Sequence, residues 1–577
     1  MKKSLSASKK RIFISLMIIF IASILLQWVQ ISNQNLYLGD DWIFHYNRFY
    51  DTAQQIKEGN FHYFISMYGF SQSGRIINAL YGPMFAYFNG LLLLICRSWF
   101  NYQLLTNFLI TFLSAISMFT LLIKNKVRAL ICLIFSIMYS SFYIIQSWSF
   151  NQTLRSWGAI VLPLVVLAAT RFLRESYSKK DLAFLAFVMT LAIQIHVLTV
   201  LFSVIILIPF FVFGFLHSKN KKTLFMYTFI AALATIFMTA NVWYPLLEVN
   251  MENQLMRPFV VWNMENHALR LDLIRPHKDL SLVVCLLFVV QFFIIIYRKM
   301  SKTNLLATIT AFMWFALSTK VFPWNDFVNR FPSISIIQFP SRLLPPAVVL
   351  IILALSLSIE TISSSEKRKI DSRILIYPFL LLMLIGAVRN HIDFSKEREE
   401  IWQTELFNST NNVIFATKDS NTLEKAFKSK DLGAPLRLIS KMNSDYLPVD
   451  DKDLAYDKDF HPYGKQKRAI IENPMNEILT KKVKNNQLVF SWQSNGEKTL
   501  LPLIIYRRTS VIFNGEKITN VQEKTNKVGA LLVQPKKGDN VLKVNYNSSF
   551  LFYYMFFLSI LSWFIFVLWL IIKKLKA

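Results

Sequence analysis

The chain has 577 residues, 54% of them hydrophobic and only 17% charged, with 51 phenylalanines and a mean hydropathy of +0.38. A soluble protein of this length carries more charge, and repeated apolar runs near twenty residues point to a polytopic membrane protein. The net charge of +28 does not indicate nucleic acid: many basic residues sit in short clusters between apolar runs ("KNKVR", "HSKNKK", "YRKMSK", "SEKRK"), which is the positive-inside pattern.

The N-terminal "MKKSLSASKKR" leads into the apolar "IFIASILLQWVQIS", with no small-residue cleavage site after it. This reads as an uncleaved first helix near 12–32. The first external loop, 33–77, then carries "YLGDDWIFHYNRFYDT". On a helix Asp41, His45 and Arg48 fall at i, i+4 and i+7 and share a face, with Asp40 about 100° away. A carboxylate beside an imidazole at a partly dry interface can act as a general base, bind a metal or pair with Arg48. It can equally be a polar turn capping an interfacial helix.

Further candidate spans run over 78–96, 103–123, 128–147, 157–172, 181–196, 198–216, 223–245, 279–297, 303–318, 343–360, 372–389 and 550–573, about thirteen in all. With "KKLKA" inside, the loops 241–278 and 318–342, the bend at His196 and the stretch 390–549 fall outside. One misfit remains. If 78–96 spans, "KNKVR" lands outside, against the rule.

Arg155, in "NQTLRSW", is external in this scheme, either a phosphate ligand or an anchor flanked by Trp148 and Trp157. His196 sits at a bend between two apolar halves, where a lone His is more often structural. Glu248 and Asp326 are external acids near helix ends. In "IIQFPSRLLPPAVVL", Arg342 stands at the external mouth of a helix, on the same side as Arg257 and Arg330. Its guanidinium suits paired bonds to phosphate, against a plain snorkelling role. Pro340, Pro345 and Pro346 are expected to break the helix there and open backbone groups to a cavity. Cys96, Cys132 and Cys285 lie in or beside apolar runs and give no disulfide framework, and there is no P-loop, GxGxxG, HExxH or CxxC spacing.

In 390–549, "FSKEREEIWQTELF" reads as a helix leaving the membrane. Strand signals begin at about 487: "QLVFSW", "LLPLIIY", an Asn-Gly hairpin in "TSVIFNGEKITNV", then "GALLVQP", "KKGDN" and "VLKVNY". The expected organisation is a transmembrane domain over 1–389, a small extracytoplasmic α+β domain over 390–549, and a terminal helix with basic tail over 550–577.

An acidic residue just after the first membrane helix, with "GDDWIFHYNRFYD", "YGPMFAY", "HVLTVLF", "STKVFPW", "QFPSRLL" and "NVLKVNYNSSFLFYYMFFLSILSW", resembles the bacterial YfhO-like and 6-pyruvoyl-tetrahydropterin synthase-related membrane proteins of the GT-C glycosyltransferase superfamily. The resemblance runs over nearly the whole chain. It implies a GT-C-like helical bundle in the bacterial plasma membrane, acting on the outer face. It also implies inverting transfer of a sugar from a polyprenyl-phosphate donor to an envelope glycan such as a teichoic acid, or to a lipid. Asp41 is then the base, with Asp40 as fallback. Arg342 binds the donor phosphate with Arg155 and Arg330 as helpers, and His45, Arg48 and His196 are in support. Some members use a divalent metal, for which Asp40, Asp41 and His45 would be the ligands and Mg²⁺ or Mn²⁺ the ion. Relatives carry a Glu a few residues after an Arg like Arg155, and "RSWGAIVLPL" lacks it. The alternative is a transporter or flippase for a lipid-linked precursor, although no inverted repeat is visible. A non-catalytic scaffold is a third reading.

Overall fold

The computed structural model describes residues 2–39, 41–256, 258, 261, 263–271, 278–363, 373–403, 412–449 and 462–575. Among these, six helices are long and apolar enough to cross a membrane: Trp99–Lys124, Val197–His217, Lys221–Met238, Pro340–Ser363, Ile374–Gln403 and Phe550–Lys573. Shorter apolar helices cover Pro83–Cys96, Ala129–Ser141 and Leu282–Tyr297. The protein is thus a helical membrane protein with a small sheet region near its C-terminus.

Several expected spans are interrupted. The first helix, Lys2–Leu25, is followed by a separate turn, Trp28–Asn33. The run 78–96 divides at Gly82, whose φ of +80° suits glycine, into Asn78–Tyr81 and Pro83–Cys96. The run 223–245 divides at Thr239. The bend expected at His196 is present: its extended backbone (φ −160°, ψ 120°) separates Lys179–Ile195 from Val197–His217. Pro345 and Pro346 do not break the helix Leu344–Ser363. They occupy its first turn, where a missing N–H costs nothing, and a 3₁₀ turn, Pro340–Leu343, precedes it.

The chain forms two compact units from interleaved segments. One comprises Met1–Asp40, Gln103–Thr235 and Val261–Thr404; the other comprises Asp41–Tyr102, Ile236–Val260 and Glu405–Ala577. The division therefore does not follow chain order as 1–389, 390–549 and 550–577 do.

The first unit is helical. The span Pro340–Ser363 is 89% buried in its apolar window, which makes its helix the axis of the bundle. It packs against Lys302–Ser318, Leu282–Tyr297 and Arg155–Arg171. A closed polar ring ties three of these helices inside the apolar core. Gln291 donates to Asn304 (2.9 Å) and Thr308 (2.8 Å), Asn304 donates to Ser358 (2.8 Å), and Ser358 donates back to Gln291 (2.9 Å). Buried amides satisfied in this way add directional contacts where apolar packing alone gives none.

Among the described residues the second unit holds nine strands: β1 (Val413–Phe415), β2 (Ile439–Lys441), β3 (Thr480–Lys484), β4 (Gln487–Ser494), β5 (Thr499–Ile504), β6 (Thr509–Phe513), β7 (Glu516–Lys517), β8 (Ala530–Val533) and β9 (Gly538–Tyr546). They form an antiparallel five-stranded sheet in the order β3-β4-β9-β6-β7 and two-stranded sheets β5-β8 and β1-β2. The expected Asn-Gly turn joins β6 to β7, with positive φ at Asn514 (50°) and Gly515 (91°). The five-stranded sheet begins at Thr480, not near 487, and the short strands β1 and β2 precede it. "TKKVK" hides its strand because three of its five residues are Lys, and two positive-φ asparagines, Asn485 and Asn486, turn it into β4. Leu488, Phe490 and Trp492 from one sheet share a core with Leu501, Leu503, Leu531 and Val533 of the other. That core also takes Phe64, Ile65, Met67, Tyr244, Val249 and Phe552 from distant parts of the chain.

Candidate functional site

The helix Trp42–Glu58 opens the second unit, and helical geometry begins only after Asp41, which occupies the N-cap position (φ −108°, ψ 2°) without making a side-chain capping bond. Its carboxylate, about half exposed, instead pairs with the Lys441 ammonium at the end of β2, 3.7 Å away. The shared helical face holds for His45 and Arg48, whose side chains meet at 3.2 Å, while Asp41 stands outside the helix. Asp40 lies outside the described residues, as does Arg257.

Arg48 is fully buried. Its Nε donates to Asn78 Oδ1 (3.0 Å), Nη1 donates to His45 Nδ1, and its Cζ lies 4.7 Å from the Tyr81 ring centre. Among the described residues its Nη2 has no hydrogen-bond partner and no carboxylate pairs with it. Burial pulls its pKa down to about 10, which leaves it charged at neutral pH. A guanidinium can only donate, so His45 Nδ1 must be the acceptor and the imidazole proton sits on Nε2. That lone pair is spent, which leaves His45 poorly suited to hold a cation. Among the described residues no three His, Cys, Asp or Glu come together as a metal group.

Beside Lys441 lie residues that sequence reasoning did not single out. Arg75 is buried and donates from Nη2 to Asn443 Oδ1 (2.6 Å) and to the Asp445 carbonyl. Asp445 accepts from the Asn443 amide (3.3 Å), and burial raises its pKa despite the lowering effect of Arg75 and Lys441. Tyr446 donates to Tyr81 (3.2 Å), which carries the chain of contacts back to Arg48. A cavity of about 30 Å³, room for a water or two, is lined by Asn47, Arg75, Lys441, Asn443 and Gln466 among others. The signal in sequence was faint. "NSDY" is a short Asx cluster in a stretch with no periodicity, and Arg75 sits in the unpatterned "SQSGRIIN".

The site thus offers two carboxylates in different settings. Asp41 is accessible and paired; Asp445 is half-buried, with Oδ1 shut off from solvent, and held towards its neutral form. Such contrast is what acid–base chemistry requires. The loop beneath them is fixed by Asp51, whose buried carboxylate accepts from the backbone N–H of Tyr68 (2.7 Å) and Gly69 (3.1 Å) and from Gln55 (2.8 Å).

Apart from Glu248, which lies in the second unit, the other candidates belong to the first. Arg155 starts the helix Arg155–Arg171 and pairs with buried Asp279 at 3.3 Å, leaving Nε buried without a partner among the described residues. Its flanking Trp148 and Trp157 are buried in protein, in edge contact at 6.0 Å. Arg342 donates to Gln338 Oε1 (2.9 Å) and the Ile337 carbonyl (3.2 Å) and lies over the Phe339 ring. Arg330 is exposed at the end of Trp324–Arg330. His196 Nδ1 meets the Thr199 hydroxyl at 3.1 Å and sits at the helix break. Asp326 is exposed. Glu248 is buried and accepts from Ser549 N–H, which ties it to the start of the last helix. No protein-family model matches the chain, and no curated protein matches it.

Proposed function

We propose that the protein is a membrane glycosyltransferase of the GT-C type, similar to YfhO-like proteins, which moves a sugar from a polyprenyl-phosphate donor to an envelope glycan or lipid on the outer face of a bacterial plasma membrane. The observation that carries this reading is the accessible Asp41 carboxylate, set just after the first apolar segment and beside the Lys441 ammonium at 3.7 Å. In the proposed step the acceptor oxygen bonds to the anomeric carbon, the carbon–oxygen bond to phosphate breaks, and the phosphate departs with the electron pair. The acceptor proton passes to Asp41. Lys441 supplies positive charge to the departing phosphate, the part that the resemblance gives to Arg342, Arg155 and Arg330. If a metal takes part, Asp40 and Asp41 are the oxygen ligands, since the His45 lone pair is engaged by Arg48.

The helix Pro83–Cys96 supports a consistent membrane topology. Its 14 residues span roughly 21 Å, shorter than a hydrocarbon core of about 30 Å; the 13 of Ala129–Ser141 are no longer, so charge is what selects Pro83–Cys96 as the segment that does not cross. With this segment not crossing, about twelve spans remain. "KNKVR" then falls inside with "HSKNKK", "YRKMSK" and "SEKRK", and residues 33–77 and 390–549 are both outside.

The test is sugar transfer by purified Asp41→Asn protein to envelope acceptors. Loss of transfer at normal membrane levels is expected; full activity overturns the assignment. Arg342→Lys and Arg155→Lys, which keep charge but lose the fork, should weaken donor use.

A further inference from the structure

The five-stranded sheet has a clean two-faced pattern. Leu488, Phe490, Trp492, Leu542, Val544 and Val511 point into the core. On the opposite face the register aligns one residue from each strand in a single row. Lys482 of β3 pairs with Val489 of β4, Val489 with Lys543 of β9, Lys543 with Ile512 of β6, and Ile512 with Lys517 of β7. Directly paired residues project to the same side, so three lysines alternate with two aliphatic residues across the sheet. At about 4.8 Å between strands, the lysines are roughly 10 Å apart and the row is about 19 Å long. Lys484 lies one pair further along β3.

All four lysines are exposed, and none takes part in an ion pair among the described residues. No acid stands in the row. Asp539, on the same face of β9, is two pairs away opposite Gln493, and Glu516 pairs with Phe513 on the other face. Residues 462–549 carry fifteen Lys and Arg against six Asp and Glu, so the surroundings reinforce the same sign. Uncompensated like charges gathered on one face set up a positive potential that attracts a group of opposite charge.

We propose that this face docks a linear polyanion laid across the strands, with its charges against Lys482, Lys543 and Lys517 and its backbone against Val489 and Ile512. A line of cations separated by aliphatic patches fits a chain better than a bilayer surface. The large aromatic residues of β4 and β9, Trp492 and Tyr546, are buried rather than turned outward as an interfacial belt requires. The inference does not depend on the proposed sugar transfer.

The test uses the full chain in phosphatidylcholine nanodiscs, titrated with labelled inorganic polyphosphate at several salt concentrations. The triple variant Lys482→Gln, Lys517→Gln, Lys543→Gln is compared with a control of equal charge change among exposed lysines off the row, Lys498→Gln, Lys536→Gln, Lys537→Gln. None of the three row side chains makes a described hydrogen bond, so an unchanged unfolding midpoint is expected. The row variant should bind at least ten-fold more weakly, with the slope of log affinity against log salt reduced by about 2, and the control should change less than three-fold. Equal loss in both variants means bulk charge and overturns the proposal. So does absence of polyphosphate binding by the unaltered protein, including the case in which it binds phosphatidylglycerol vesicles instead.

Discussion

The Arg48 guanidinium donates to Nδ1 of the His45 imidazole at 3.2 Å, a cation bonded to a neutral ring inside the second unit. This contact fixes the His45 tautomer and anchors the helix Trp42–Glu58 directly behind Asp41. Arg48→Met keeps the stem and relieves the desolvated charge but loses the bonds to Asn78 and His45. The expected loss is about 1–3 kcal/mol of stability, seen as a lower unfolding midpoint in micelles. Arg48→Glu, an unpaired buried carboxylate, should leave little folded protein.

Asp41 and Lys441 separate function from stability. The pair is partly exposed and worth little to the fold, so Asp41→Asn and Lys441→Met should shift the unfolding midpoint by less than about 1 kcal/mol equivalent. Sugar transfer should fall about 10²–10⁴-fold for Asp41→Asn, the usual contribution of a general base. An Asp41→Asn protein that is unstable rather than inactive would count against the assignment.

Gly69 admits no side chain. A Cβ there would lie 2.4 Å from the Asn47 carbonyl oxygen and 3.2 Å from Asp51 Cβ, and the first is backbone of a packed helix that cannot yield cheaply. Gly69→Ala should therefore cost about 1–3 kcal/mol and loosen the loop that Asp51 holds. Limited proteolysis around 67–73 reads this out.

His62 predicts a pH dependence. Its Nδ1 accepts from the N–H groups of Phe64 (3.2 Å) and Ile65 (3.1 Å), and its Nε2 meets Asn545 Oδ1 at 2.9 Å. Burial drives its pKa down to about 4 from an ordinary 6.5. Between these values the unfolded chain binds a proton that the folded one refuses, so stability rises with pH from 4 to 6.5 and is full above that. The effect is on the order of 2–3 kcal/mol. Unfolding midpoints across that window should rise less steeply with pH in His62→Gln than in the unaltered protein, while Asp51, whose buried carboxyl is pushed up to about 6, contributes the opposite sign in both.

The helical membrane character, the break at His196, the Asn-Gly turn and most strands were legible because apolar periodicity and turn chemistry are local. Where the structure departs, the cause is non-local. Gly82 cuts one apolar run, a choice hydropathy does not see. β3 hides behind its lysines because an edge strand with one wet face needs few apolar residues. Arg75 is hundreds of residues from Asn443 and Asp445 in sequence, and all three are unremarkable in their own surroundings; their contact in the fold is what sets them apart. For Asp41 the helical spacing was read one residue too far, since an N-cap residue does not share the helix's 100° step.

The core of the second unit joins Phe64, Ile65 and Met67 to Leu488, Phe490 and Tyr546. During synthesis the first group is made long before the second exists. At about 5–20 residues per second, the interval is on the order of tens of seconds. Throughout it the early loop has apolar residues and no partner strands to cover them. Its survival depends on whatever shelters it until β9 and the last helix arrive, so a protein shortened after Val260 should show that loop as its first site of degradation.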